Sequence, residues 1–160
     1  MGLLRILVRS VAALVVLGVA LFFGARLHDG PLAMIPGGPL ASGEFVETPT
    51  TDWSFATDLS EIELQLESQS ISRTTWILVR DGVAYIPCSL SFPPGKSWYV
   101  EAQRDGRAIL RIEGRRYRVL LTRDDDPTLA GFARPEVERK YGSPPPGDGG
   151  ALFFKVMSRS

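Results

Sequence analysis

The chain has 160 residues and balances 18 Lys and Arg against 18 Asp and Glu, so its total charge offers a polyanion such as nucleic acid no general attraction. Its one cysteine, Cys88, excludes an internal disulfide or dithiol pair. Its one histidine, His28, lies beside an apolar N-terminal run, which leaves the rest of the chain without a Ser-His-Asp triad or a metal-ligand cluster.

At the N-terminus, Arg5 and Arg9 precede an uncharged apolar run from Val11 to Ala25, and Arg26, His28 and Asp29 follow it. At ~1.5 Å per residue this run gives about 22 Å of helix, short of the ~30 Å hydrocarbon core. The apolar residues from Leu3 to Val8 lengthen it, and Arg9 can snorkel to the interface. Residues 1–27 therefore read as a retained membrane anchor. A cleaved signal peptide and an interfacial helix are the two rival readings. Phe23 spoils a small-x-small cleavage pattern, and the run lacks the polar face of an interfacial helix. Two arginines before the run and one just after it predict a single-pass inner-membrane protein whose soluble domain lies on the extracytoplasmic side.

Residues 28–58 are rich in Gly, Pro, Ser and Thr, which disfavours a long helix or a central strand and predicts a linker. Met34, Ile35, Leu40, Phe45 and Val46 give that linker apolar points of contact with the domain surface.

Residues 59–160 carry the domain. "EIELQLE" (61–67) alternates Ile62, Leu64 and Leu66 with charged and polar residues, the period of a strand with one wet face. "TTWILVRDGVAYIPC" is a hairpin turning at Asp81-Gly82, a pair suited to a type I′ turn. Its register places Ile77 and Val79 on one face with Ala84, Ile86 and Cys88, and Trp76, Leu78 and Tyr85 on the other. A second hairpin, "AILRIEGRRYRVLLTR", turns at Glu113-Gly114 with Leu110, Ile112, Tyr117, Val119 and Leu121 on one face. Arg111, Arg116 and Arg118 share the opposite face, a row that repels itself unless acids, water or an anionic ligand meet it.

Between the hairpins, "KSWYVEAQRD" predicts a short helix ending near Gly106. "DDDPTLAGFARPEVERKYG" predicts two short helical pieces, one beginning near Pro127 and one with Pro135 in its first turn. "SPPPGDGG" reads as a rigid loop and "ALFFKVM" as a closing strand. Six antiparallel strands with few helices predict a mainly β domain, a small split barrel.

The polar groups best placed for chemistry lie at two strand and loop boundaries. Arg73, Thr74 and Thr75 bring a guanidinium fork and two hydroxyls to a strand start, suited to a phosphate or carboxylate. Lys96 and Ser97 follow Gly95 in the Pro/Gly loop and suit the same anion. Trp98, Tyr99 and Trp76 are candidates for a flat apolar wall. No residue is assigned a catalytic role.

The segments "SRTTWILVRDGVAYIP", "GKSWYVEAQRDGRAILRIEGRRYRVLLTRDDDP" and "ALFFKVMSR" resemble the split β-barrel superfamily of flavin and deazaflavin oxidoreductases, especially its deazaflavin-dependent nitroreductase branch. The resemblance covers roughly residues 60–159. It implies a six-stranded split barrel, commonly a homodimer, with the cofactor phosphate held near residues 73–79 and by the segment from Lys96 to Trp98. Arg73, Thr74 and Thr75 match the family's Arg-Thr-Thr start, and Lys96 and Trp98 its basic and aromatic positions. Upstream, "ESQSIS" lacks the glycine and lysine of the family's turn, and Trp76 stands where the family tends to have proline. Two functions follow as expectations. One is a membrane-anchored oxidoreductase that uses a flavin (FMN) or deazaflavin to reduce a lipophilic small molecule. The other is a noncatalytic ligand-binding or accessory module of a membrane assembly.

Overall fold

The computed structural model describes residues 2–142 and 150–159. Helix α1 (Gly2–Ala25) contains an apolar stretch of 22 residues from Leu4 to Ala25, exposed along its length except for Ala25 at its end, which is buried. That is about 33 Å of helix, long and apolar enough to cross a membrane. Compared with the run visible in the sequence, it begins earlier because Arg5 and Arg9 lie within the helix.

The domain is one antiparallel sheet. Its strands are β1 (Glu61–Leu66), β2 (Ser72–Trp76), β3 (Leu78–Arg80), β4 (Val83–Ser89), β5 (Arg107–Ile112), β6 (Arg115–Asp124) and β7 (Ala151–Ser158), hydrogen-bonded in the order β2-β1-β5-β6-β7-β4-β3. Two further helices complete it, α2 (Trp98–Arg104) and α3 (Thr128–Tyr141).

The expected six strands are seven, and the ladder does not close. The extra strand arises at Ile77, where one predicted strand divides. Its first half pairs with β1, Glu61 facing Trp76, and its second half pairs with β4, Leu78 facing Tyr85. The two ends of the sheet are therefore consecutive pieces of chain. A buried carbonyl released from a ladder needs a donor, and Lys140 Nζ on α3 supplies it, donating to the carbonyls of Ile77 at 2.8 Å and Leu59 at 2.9 Å.

Both tight turns have the backbone their sequences call for. Asp81 and Gly82 take φ of 53° and 77°, and Glu113 and Gly114 take 49° and 78°. Two consecutive positive φ values are the type I′ condition, and they set the registers that send Ile77, Val79, Ala84, Ile86 and Cys88 into the interior with Leu110, Ile112, Val119 and Leu121. Leu78 and Tyr85 turn to the outer face and pack with Phe153 beneath Leu129, Ala133 and Val137 of α3.

The two expected helical pieces are one helix. Pro135 lies inside α3, where its missing N–H releases the carbonyl of Gly131. Both residues face solvent, so that carbonyl is open to hydration and the helix continues. Residues 143–149, most of the "SPPPGDGG" loop, lie outside the described residues.

Residues 28–58 lie along the sheet. Trp53 is buried in the interior cluster, and its N–H donates to the Gly82 carbonyl at 2.8 Å. Val46 N–H donates to Arg116 and Arg116 N–H to Glu44, so this segment runs beside the start of β6. It also meets the arginine row. Arg111 binds the Glu63 carboxylate through Nε and reaches Asp29 Oδ1 at 2.9 Å and Ser42 Oγ at 2.8 Å through Nη1. Arg116 donates to the carbonyls of Gly43 and Leu40, and the guanidiniums of Arg116 and Arg118 sit 4.1 and 3.8 Å from the Phe45 ring centroid. Acids, carbonyls and an aromatic ring of the same chain thus take up the row.

Candidate functional site

The open ladder leaves a seam between β2 and the far half of β4. Ser72 exchanges both backbone hydrogen bonds with Gly37, away from β1. The alternation of an antiparallel ladder sends the N–H and C=O of Thr74 and Trp76 in that same direction, toward the seam. On the opposite side, Pro87 of β4 has no N–H to offer. A cleft of about 850 Å³ occupies this seam, closed on its flanks by α3 and by the loop of residues 89–96.

The structure brings four of the six predicted site residues to this cleft: Thr74, Thr75, Lys96 and Trp98. Thr74 faces outward opposite Glu63, and its hydroxyl donates to the Ala33 carbonyl at 2.7 Å, fixing the rim. Thr75 lies opposite Ile62, and its hydroxyl makes no hydrogen bond among the described residues. Lys96 Nζ holds the Phe92 carbonyl with one of its three protons, which leaves two donors. Burial lowers its pKa, and the nearby Cys88 thiol opposes that shift. Trp98 is 7% exposed, and its ring lies 5.4 Å from that of Phe154.

The other two predicted residues are elsewhere. Arg73 lies opposite Leu64 and turns inward, its guanidinium 5.6 Å from the Trp98 ring centroid and bonded to Gln69 Oε1 at 2.9 Å. Its buried Nε has no hydrogen-bond partner among the described residues. Burial pulls its pKa down to about 10, with the Cys88 thiol opposing and the Arg26 charge adding to the shift. Ser97 is exposed at the start of α2, makes no capping bond, and does not line the cleft.

Cys88 reaches the cleft wall while almost entirely buried. Burial pushes its thiol up to about 11 against the opposing pull of Lys96 and Arg73, so at neutral pH it is a small core residue and not a nucleophile.

Arg134 is the residue that strand and loop reasoning misses. It lines the cleft from α3, together with Ala130, Ala133 and Val137, and makes no hydrogen bond or ion pair among the described residues. The spacing of these four positions, i, i+3, i+4 and i+7, defines one helix face. That signal is legible once "TLAGFARPEVERKY" is read as a single helix. Trp76 stacks one face on Tyr141 at 4.0 Å and borders the cleft with Pro87, Phe92 and Phe153. Glu61 adds a carboxylate to the rim.

Thr75, Lys96 and Arg134 thus present uncommitted donors suited to a phosphate or carboxylate, beside a mostly apolar surface. Phosphate donors and flat apolar surface in one cleft fit a group of the flavin or deazaflavin kind. A second depression of about 650 Å³ lies among Val46, Phe55, Ile112, Arg115 and Tyr117, where Phe55 and Tyr117 stack with ring centroids 6.0 Å apart. None of the predicted site residues borders it.

No family model matches the chain, and no curated protein matches it. Among solved structures, a Listeria innocua protein described as a "Putative Pyridoxamine 5'-phosphate oxidase" is similar at a TM-score of 0.46 and 11% identity, covering 62% of this chain and 83% of its own.

Proposed function

We propose that this chain is a single-pass membrane protein whose seam cleft binds a phosphorylated planar cofactor of the flavin or deazaflavin kind and serves the reduction of a lipophilic acceptor. The carrying observation is convergence. Thr74 and Thr75, Lys96 and Trp98, and Arg134 come from three distant parts of the sequence and line one cleft. In this reading Thr75, Lys96 and Arg134 hold the phosphate, while Trp76, Pro87 and Phe153 exclude water from the ring. Such a cofactor, once reduced by a two-electron donor, would supply hydride chemistry toward the acceptor, and water would supply the one accompanying proton. Helix α1 anchors the domain, and the arginine bias of its flanks supports an extracytoplasmic position.

A noncatalytic ligand-binding module is the second reading, favoured by the placement of Arg73. Its guanidinium is turned onto Trp98 and Gln69, so one arm of the expected phosphate clamp serves packing. The absorbance spectrum of the detergent-purified full chain separates the two. A flavin or deazaflavin band, or its appearance on reconstitution, is expected for the reductase. A colourless protein that takes up neither cofactor rules the reductase out. Reporter fusions after residue 160 test the sidedness, and activity of a cytoplasmic reporter there would overturn it.

A further inference from the structure

The first residues after α1 are built as a rigid rim of the cleft. The N–H groups of Arg26, Leu27 and His28 continue the helix end by bonding to Phe23, Gly24 and Ala25, each at 3.1 Å. Gly38 N–H then ties back to the His28 carbonyl at 2.9 Å. That approach is close enough for a Cβ on Gly38 to strike the carbonyls of Arg26 and His28. Leu32 and Ile35 exchange two backbone hydrogen bonds and turn through Ala33 and Met34, forming a tight hairpin tip pinned by Thr74.

The side chains on and around this tip are apolar and uncovered. Leu27 is 91% exposed and Met34 76%, with Leu32 and Ile35 also exposed. Across the cleft mouth, Phe92 is 45% exposed, and Met34 and Phe92 both line the cleft. A cluster of large apolar side chains on a soluble surface marks an interaction site. Here the nearest partner is set by the chain itself, since the tip follows the end of the apolar helix within ten residues and its base is closed onto the residues just after that helix by the Gly38 to His28 backbone bond. Arg26, at the helix end with its guanidinium 5.1 Å from the Phe22 ring centroid, suits the headgroup level.

We propose that the Leu32–Ile35 tip and Phe92 rest in the membrane interface, so that the seam cleft opens directly onto the bilayer and receives its lipophilic ligand from the lipid phase. The inference rests on the anchor reading above. It adds an entry route for the lipophilic acceptor, with Met34 and Phe92 as the two sides of the doorway.

The test uses the full chain carrying Cys88→Ser, reconstituted in phosphatidylcholine and phosphatidylglycerol vesicles, with a nitroxide at Met34→Cys, at Phe92→Cys or at the exposed control Asp125→Cys. Power saturation is then compared between oxygen and a water-soluble nickel chelate. The expected result is that labels at 34 and 92 gain oxygen accessibility and lose nickel accessibility relative to 125, and that detergent solubilisation abolishes the difference. Labels at 34 and 92 as nickel-accessible as the one at 125, in a chain that resists carbonate extraction, would overturn the doorway while leaving the anchor standing. Release of the chain by carbonate would overturn both.

Discussion

Two regions of this domain are rich in cations, and they differ in what those cations do. On the outer face of β5 and β6, Arg111, Arg116 and Arg118 spend their donors or ring faces on Asp29, Glu63, Ser42, Phe45 and the carbonyls of Leu40 and Gly43. In the seam, Arg134 and Thr75 make no hydrogen bonds among the described residues, and Lys96 keeps two donors. The first region is a clasp that holds residues 28–58 to the sheet. The second has the open valence of a binding site. Counting arginines does not separate the two, whereas asking whether each donor is already satisfied does.

The comparison breaks first if residues 28–58 are a loose tether. Trp53 fills the interior, so Trp53→Ala is expected to cost ~3–5 kcal/mol in denaturant unfolding. A cost under about 1 kcal/mol, the range of exposed positions, would show that the segment does not belong to the fold. Arg111→Ala takes the shared cation from Glu63 and Asp29, although Asp29 keeps the N–H groups of Ala41 and Ser42. Because Asp29 and Glu63 are about a third exposed, roughly 2 kcal/mol is expected, below the 3–5 of full burial. An unchanged midpoint would remove the clasp from the account. Lys140→Met takes the donor from the carbonyls of Ile77 and Leu59 and should cost about 1–3 kcal/mol. Faster amide exchange at the β2–β3 bend than elsewhere in the sheet is its signature.

The clasp also has a pH dependence. Burial alone would raise the Asp29 pKa, but hydrogen bonds from Ser42, Ala41 N–H and Arg111 outweigh it and hold the carboxyl well below its ordinary value of 3.8. A folded-state pKa below the unfolded one gives stability that is present above the unfolded value and lost as pH falls toward the folded one. Destabilisation is therefore expected as pH drops below about 4, and it should be smaller in Asp29→Asn. Equal acid sensitivity in both proteins would contradict the assignment. The smallest stability effect belongs to the seam, where replacing Arg134 or Lys96 with Ala should change stability by less than about 0.5 kcal/mol while weakening ligand binding.

Much of the fold is legible in the sequence because period-two alternation and turn chemistry act locally. Ile62, Leu64 and Leu66 point inward as their spacing dictates, and Asp81-Gly82 and Glu113-Gly114 take the positive φ values that fix both hairpin registers. The break at Ile77 is not legible, because the apolar run from Trp76 to Val79 reads as one strand, and only the long-range pairing of its halves divides it. The packing of residues 28–58 hides for a similar reason. Gly37 and Gly38 are required by carbonyls approaching from Gly30, Arg26 and His28, and their composition alone is that of a linker. Of the residues predicted for a site, Thr74, Thr75, Lys96 and Trp98 border the cleft, whereas Arg73, on the same inward face of β2 as Thr75, folds its guanidinium onto Trp98 and Gln69. Arg134 is hidden by Pro135, which suggests a helix boundary where there is none.

The most direct test of the central claim, that the seam is a binding site for a phosphorylated planar ligand, is titration of the detergent-solubilised full chain with flavin mononucleotide and with a deazaflavin cofactor. It is read by ligand absorbance and by quenching of tryptophan fluorescence, in the wild type and in a Lys96→Ala, Arg134→Ala double variant. Saturable binding of at least one cofactor by the wild type is predicted, weakened by at least about tenfold in the variant for the loss of two charge-assisted contacts. Binding of neither cofactor, or equal binding by both proteins, would contradict the account.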